Sequence, residues 1–321
     1  MKRPVTWIVG RTVATIVTLF GVSVLIFGAI HTVPGGYAEV LLGPLGTPEA
    51  KAEVSERFGL DGSLPDQYRH WAAAVLSGDF GTSLQTGNPV AHDILDRAPV
   101  TLELALLAGL TSLVLGVGLG VLAAATSSGR VSQPASRLLP AFGLSIPDFI
   151  IGVLLIYLFS RFDLLFTVSG YVSFGSDPIA NLRGIALPAL ALSVFPTGLI
   201  ARTTRNTVRS VMAEPYILAA VARGETPLRI VRHHVLRNSA APVVVVFAVV
   251  LASLLGGAVI IEQLFVLPGV GSFALQAISA RDYTVVQATV LLAATAFVIA
   301  NTCSDLASVV IDPRRSRGRA R

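Results

Sequence analysis

Lysine is nearly missing from this 321-residue chain: only Lys2 and Lys51 occur, and neither follows a glycine. A phosphate-cradling Walker A loop needs Gly-Lys-Ser/Thr, so the chain cannot build one. There is one cysteine, Cys303, inside an apolar run. An internal disulfide is therefore excluded, and Cys303 reads as a small core residue. No His-Glu-x-x-His or Cys-x-x-Cys pair is present either. Whatever energy the protein uses, the chain does not obtain it by hydrolysing ATP itself. Charge is scarce too: 13% of residues are charged and 53% are hydrophobic. A soluble domain carries roughly 25% charged residues. With a mean hydropathy of +0.72, the composition is that of an integral membrane protein.

A helix needs about 20 apolar residues to cross roughly 30 Å of hydrocarbon. Six stretches qualify, at about residues 8–30, 102–125, 138–160, 185–201, 243–261 and 285–311. The expected fold class is an all-α polytopic membrane protein of about six transmembrane helices. The fourth stretch is the shortest and contains Pro188 and Pro196. The first exceeds the usual length of a signal-peptide core, and "HTVPGG" after it lacks an Ala-x-Ala cleavage site, so it reads as a retained span.

Six crossings put both termini on one side, and cation placement says which. Lys2, Arg3 and Arg11 open the chain; Arg130 and Arg137 follow span two; Arg202, Arg205, Arg209, Arg223, Arg229, Arg232 and Arg237 follow span four; Arg314, Arg315, Arg317, Arg319 and Arg321 close it. This side is expected to be the cytoplasm. The segment 31–98 instead holds four cations against nine acids. The net charge of +5 thus orients the chain in a membrane, and no nucleic-acid partner is needed to explain it.

The expected organisation is a cytoplasmic N-terminus and first span (1–31), an extracytoplasmic insertion (32–98), a helical core (99–312) and a basic cytoplasmic tail (313–321). Within the insertion, "TPEAKAEVSERFGLDG" reads as a short helix with Thr47 as N-cap, Pro48 at its first position and Gly59 as its stop. "DQYRHWAAAVLSG" reads as another, closed by Gly78. A small folded outer subdomain is expected there, with no soluble domain elsewhere and no obvious internal repeat.

The densest internal cluster of cations is "YILAAVARGETPLRIVRHHVLRN", residues 216–238. It divides into two short helices, the first opened by Pro215 and ended by Gly224, the second capped by Thr226 with Pro227 in its first turn. In the second, Leu228, Val231 and Val235 share one face, while Arg229, Arg232, His233 and Arg237 crowd the other. Two readings fit: a basic helix pair resting on anionic lipid, or a docking surface for a partner protein. Ala219, Ala220 and Ala222, being small, permit the close backbone approach that docking needs.

At this segment the chain resembles the inner-membrane permease subunit of the dipeptide/oligopeptide/nickel importer branch of the ABC transporters. That family carries Tyr-x-x-x-Ala-x-Ala-Lys/Arg-Gly, then His-x-Leu-Arg-Asn and Pro; here these are Tyr216, Ala220, Ala222, Arg223, Gly224, His234, Leu236, Arg237, Asn238 and Pro242. Leu218 stands where the wider importer motif often has Glu, and Gly36 where the family usually has Asp. The likeness continues through "GDFGTSLQTGNPVAHDILDRAPVTLEL", "SIPDFIIGVLLIYLFS", "LFVLPGVGSFALQAISARDYTVVQATVLL" and "DPRRSR". The resemblance implies that residues 202–241 form a cytoplasmic coupling loop. Tyr216, Ala219, Ala220, Ala222, Arg223, Gly224, Arg229, His234, Arg237 and Asn238 are then its ATPase-coupling residues. It further implies a second homologous permease subunit, ABC ATPase subunits and an extracytoplasmic solute-binding protein as partners. ATP and Mg would be bound by the ATPase partners, with no cofactor in this chain.

Polar residues at membrane depth are few. A charge there costs about 2.5–3.5 kcal/mol, while each Leu or Ile returns only about 0.3–0.6 kcal/mol. Glu103 sits near the outer end of span two and reads as a snorkelling side chain. Asp148 follows Pro147 within span three, and it reads equally as a polar point on a pathway or as a satisfied interior group. Asp305 reads as helix-end packing. Pro268, Gly269 and Gly271 in "LFVLPGVG", after Glu262 and Gln263, prescribe a tight outer turn, either a simple hairpin or part of an outer gate. An ion-coupled secondary transporter is the competing function; it would need midplane acids, for which only Asp148 qualifies, and an inverted repeat. An intramembrane hydrolase is disfavoured, because the five histidines are read as lying outside the spans and no acid pair is expected at depth.

Overall fold

The computed structural model describes residues 2–32, 47–48, 62–125, 146–162, 166–167 and 170–311. Among them the chain is helical, with a lone bridge between Thr82 and Pro89. The helices are α1 (Lys2–His31), α2 (Leu64–Leu76), α3 (Val90–Ala125), α4 (Asp148–Phe162), α5 (Pro178–Met212), α6 (Pro215–Ala222), α7 (Pro227–Ile230), α8 (Leu236–Gly257), α9 (Val259–Leu264), α10 (Val270–Ala280) and α11 (Tyr283–Ile311). Among the described residues, five stretches are long and apolar enough to cross a membrane: Val9–His31, Val90–Ala125, Pro178–Met212, Val231–Gly257 and Tyr283–Cys303. This is a polytopic all-α membrane protein.

The expected third span, 138–160, differs. Ile146 and Pro147 are not helical, and α4 begins at Asp148 and runs for 15 residues. Proline lacks an N–H and disfavours helix in the residue before it, so Pro147 opens α4 rather than kinking it from within. Residues 138–145 lie outside the described residues. So do most of the helix expected from Thr47, the Gly36 position and the basic tail 313–321.

Two spans are longer than their apolar runs suggested. α5 is 35 residues, about 50 Å at 1.5 Å per residue. It starts at the Asp177 cap, whose Oδ1 accepts the N–H groups of Ile179 (3.0 Å) and Ala180 (3.1 Å). It continues through Pro188 and Pro196, so Arg202, Arg205 and Arg209 stand on the helix rather than on a loop. α3 likewise starts twelve residues before its apolar run and contains Pro99.

The chain divides into two compact units. The first comprises residues 1–101 and 268–298. Its core is Val90 and Ile94 of α3, Phe273 and Ala277 of α10, and Val285 and Ala288 of α11, with Phe80 packed beside them. The Arg97 guanidinium lies 4.4 Å over the Phe273 ring. Asp282 fixes the 79–89 turn to this core. Its carboxylate, 2% exposed, accepts Ser83 Oγ (2.6 Å) and the N–H groups of Gln85 and Val285.

The second unit comprises 102–267 and 299–321. α5 is its spine, buried along most of its length against α4 and α8. Gly116 and Gly120 of α3 let that helix close onto α5. A Cβ on Gly116 would stand 2.7 Å from Ile200, and one on Gly120 would stand 2.7 Å from the Ala201 carbonyl and 2.5 Å from Thr204. This is the small-x-x-x-small packing of membrane helices, where apolar lipid leaves close van der Waals contact as the main attraction.

Candidate functional site

α6 is a short helix with one face in the protein and one face free. Pro215 occupies its first turn, where its missing N–H costs nothing. Ile217 and Ala220 are buried with Val208 and Val211 of α5, Ile230 and Val235. On the other side Leu218 is 69% exposed, and Ala219, Val221 and Ala222 are exposed beside it.

Gly224 ends α6. Its φ is +78°, the left-handed conformation that glycine reaches without penalty. Gly224 N–H donates to the Val221 carbonyl (2.9 Å) and Glu225 N–H to the Ala220 carbonyl (3.2 Å). This paired closure is a Schellman cap, so the expected stop at Gly224 is where the chain turns. A Cβ added at Gly224 would meet nothing within 4 Å.

Beyond the turn the structure departs from the two-helix expectation. α7 runs without interruption through a π-turn, Val231–Val235, into α8. Leu236 N–H donates to the Val231 carbonyl, five residues back, which is the π signature. Arg229, Arg232, His233, His234, Arg237 and Asn238 therefore sit on the first turns of a membrane-spanning helix. The inward face of Val235 continues into α8 through Ser239 and Val243, both buried.

Side chains tie the two elements together. Glu225 accepts from Arg223 Nη2 (2.8 Å) through Oε1 and meets His234 Nε2 (3.0 Å) through Oε2. The Arg223 hydrogen bond, and after it His234, hold the Glu225 carboxyl below its usual range. Asn238 Nδ2 donates to Tyr216 Oη (3.0 Å) and to the His234 carbonyl (2.8 Å). Tyr216, Arg223, His234 and Asn238 are thus brought into one cluster with Glu225. Arg229 and Arg237 are exposed, and no contact gathers them into it.

The segment with Pro268 is built differently from a glycine turn. Leu267 N–H donates to the Glu262 carbonyl (2.8 Å) and Val266 N–H to Gln263 (3.4 Å), a second Schellman closure, ending α9. The left-handed residue is Val266, at φ +56°, not a glycine. A β-branched residue there is an outlier. Gly269 is extended and precedes α10, Gly271 lies inside α10, and Val270 N–H donates to Thr101 Oγ1 (2.9 Å). Asp148 stands at the start of α4, its Oδ1 accepting Phe149 N–H (2.8 Å). Glu103 accepts the Tyr171 hydroxyl (2.8 Å). Burial, and then this carboxylate, push the Tyr171 phenol up to about 12.

Comparison with known proteins decides the family. The profile described as "Binding-protein-dependent transport system inner membrane component" matches residues 116–317, and its N-terminal companion matches 5–105. The chain belongs to this permease family. It is 37% identical over 308 residues to a "Probable peptide ABC transporter permease protein y4tP" of Sinorhizobium fredii, covering 96% of this chain and 98% of the relative. It is 36% identical to a "Di/tripeptide transport system permease protein DppB" of Pseudomonas aeruginosa, covering 92% and 94%. It is 34% identical to the "Dipeptide transport system permease protein DppB" of Escherichia coli, covering 96% and 98%. A solved structure titled "Inward facing conformations of the MetNI methionine ABC transporter" shares the fold, with a TM-score of 0.53 and 20% identity over 68% of this chain and 96% of that one.

Three residues of this permease gained prominence only from the structure. Glu225 has no partner in the sequence pattern, because His234 reaches it only once α6 has turned back. Asp282 meets Ser83, 199 positions away. Glu262 is fully buried. For Asp282 and Glu262 the one available signal was an acid inside a mostly apolar stretch.

Proposed function

We propose that this chain is the membrane-spanning half-channel of an ATP-driven importer for peptides or similar small solutes. It pairs with a second permease subunit, and separate ATPase subunits grip the α6 elbow. The single observation that carries this is the elbow's geometry. Ile217 and Ala220 anchor α6 to the core around α5, its outer face of small and apolar residues is free, and its far end is tied through Glu225 to the π-turn that leads into α8. A push on α6 therefore reaches two membrane-spanning helices directly. Alternating access follows if ATP binding stabilises one arrangement of these helices more than the other.

In this reading the Lys2 end, the elbow and the basic tail face the cytoplasm, and residues 32–98 face the opposite side, where a solute-binding protein delivers cargo. Asp148, Pro147 and the Pro268–Gly271 segment belong to the pathway or its outer gate. ATP and Mg stay with the ATPase partners. Family membership and the peptide-permease relatives support this over an ion-coupled carrier. The test is cysteine crosslinking from Ala219 and Ala222 to the candidate ATPase subunit, in a Cys303→Ser background. Crosslinks at these positions and uptake that needs ATP are expected. Transport without any ATPase subunit, and no crosslink at the elbow, would refute it.

A further inference from the structure

We infer that α2 is a membrane-interface helix whose apolar stripe lies in lipid beside the His31 end of α1. The inference is independent of how the elbow works. It starts from where α1 must sit. Lys2, Arg3 and Arg11 precede residues 12–31, which carry no Asp, Glu, Lys or Arg. Twenty residues span about 30 Å, the thickness of the hydrocarbon layer. Charged groups are costly at mid-membrane, so Arg11 marks one boundary and His31 lies near the other. Phe20, Ser23 and Phe27 then fall within the span.

α2 packs on those same residues. Tyr68 Oη meets Ser23 Oγ at 2.8 Å. The Tyr68 ring lies edge-on to Phe20 (6.2 Å) and Phe27 (5.4 Å), and Trp71 lies 5.6 Å from Phe27. Gln67 Oε1 meets His31 Nε2 at 3.0 Å. Ser23 is eight residues from His31, about 12 Å along the helix axis. Tyr68 therefore reaches below the boundary, not above it.

The surface of α2 fits that depth. At helical spacing, Leu64, Tyr68, Trp71 and Val75 form one arc, and Asp66, Arg69 and His70 occupy the opposite side. None of its residues is buried, and Leu64 at the start of the stripe is 58% exposed. On α1 the outward side chains Ile16, Val17, Phe20 and Leu25 are equally bare, so the uncovered apolar surface runs on from the spanning helix. Tyr and Trp are the residues that favour the membrane–water boundary. An in-plane amphipathic helix buries its apolar face about 5–10 Å into that boundary.

The test uses the full-length chain in phosphatidylcholine–phosphatidylglycerol vesicles. Trp7→Phe leaves Trp71 as its sole tryptophan. Acyl chains brominated close to the headgroup are expected to quench Trp71 emission more than chains brominated near the methyl end. Separately, in a Cys303→Ser background, a nitroxide on Leu64→Cys is expected to be open to oxygen and closed to a water-borne nickel chelate, with the reverse on Arg69→Cys. Trp71 emission unchanged by either lipid would overturn the inference. So would Leu64 and Arg69 labels equally open to the nickel chelate, the result expected if this face awaits a protein partner in water.

Discussion

Substitutions at Gly224 separate two contributions of the elbow, its backbone turn and its outer surface. The turn needs φ near +78°. An L-residue in that conformation costs about 1–2 kcal/mol, less for Asn, which visits it routinely. That penalty is local, and a Cβ there meets nothing within 4 Å, so no clash is added inside the chain. Gly224→Asn should therefore keep most of its transport, and Gly224→Ala should lose some through a weakened cap. Gly224→Arg carries a similar backbone cost but sets a long cation on the face proposed to dock the ATPase. It should reach the membrane in normal amounts and abolish uptake. The assay is ATP-driven peptide uptake in cells or proteoliposomes, normalised to permease in the membrane by immunoblot. Wild-type uptake by the Arg variant would refute docking at this face. Equal damage from Asn and Arg would also refute it, by showing that only the backbone turn matters.

Other perturbations reach other parts of the structure. Gly120→Ala pushes α3 off α5, because its Cβ meets the Ala201 backbone; a loss of about 1–3 kcal/mol is expected, read as a lower midpoint in thermal unfolding in detergent. Asp282→Ala removes a buried carboxylate that holds the 79–89 turn; hydrogen bonds to a charged group contribute about 1.5–3 kcal/mol, so limited proteolysis should cut that turn faster. The Glu225 carboxyl is held below its usual range, so its stabilising effect is present above the ordinary carboxylate value of about 4.3 and is lost as pH falls through the lowered one. Glu225→Gln should flatten that acidic limb in a pH series of thermal unfolding. An unchanged limb would show that other groups set it.

Much of this protein is legible residue by residue. The α6 stop at Gly224 follows from a glycine placed after a short apolar helix, and the structure closes it there. The apolar runs announced the spans because hydrocarbon demands long uncharged helices. What periodicity could not show is where a helix continues past its apolar run. α5 carries Arg202 to Arg209 beyond the run, and the second elbow helix proved to be the root of α8. Nor could it show that Pro147 opens α4, since the apolar run resumes on both sides of Pro147 and Asp148.

Composition and charge placement determined that the chain is a polytopic membrane protein with a basic elbow, because membrane solvation acts on each residue where it stands, and the resemblance of its motifs pointed to a permease. The tertiary structure alone decided which distant groups meet. Examples are Ser83 with Asp282, Glu225 with His234, Tyr68 with Ser23, and Gly120 with the Ala201 backbone. Such contacts depend on the angles at which helices cross and turns reverse, and those angles are set jointly by packing across the whole bundle rather than by any local run of sequence.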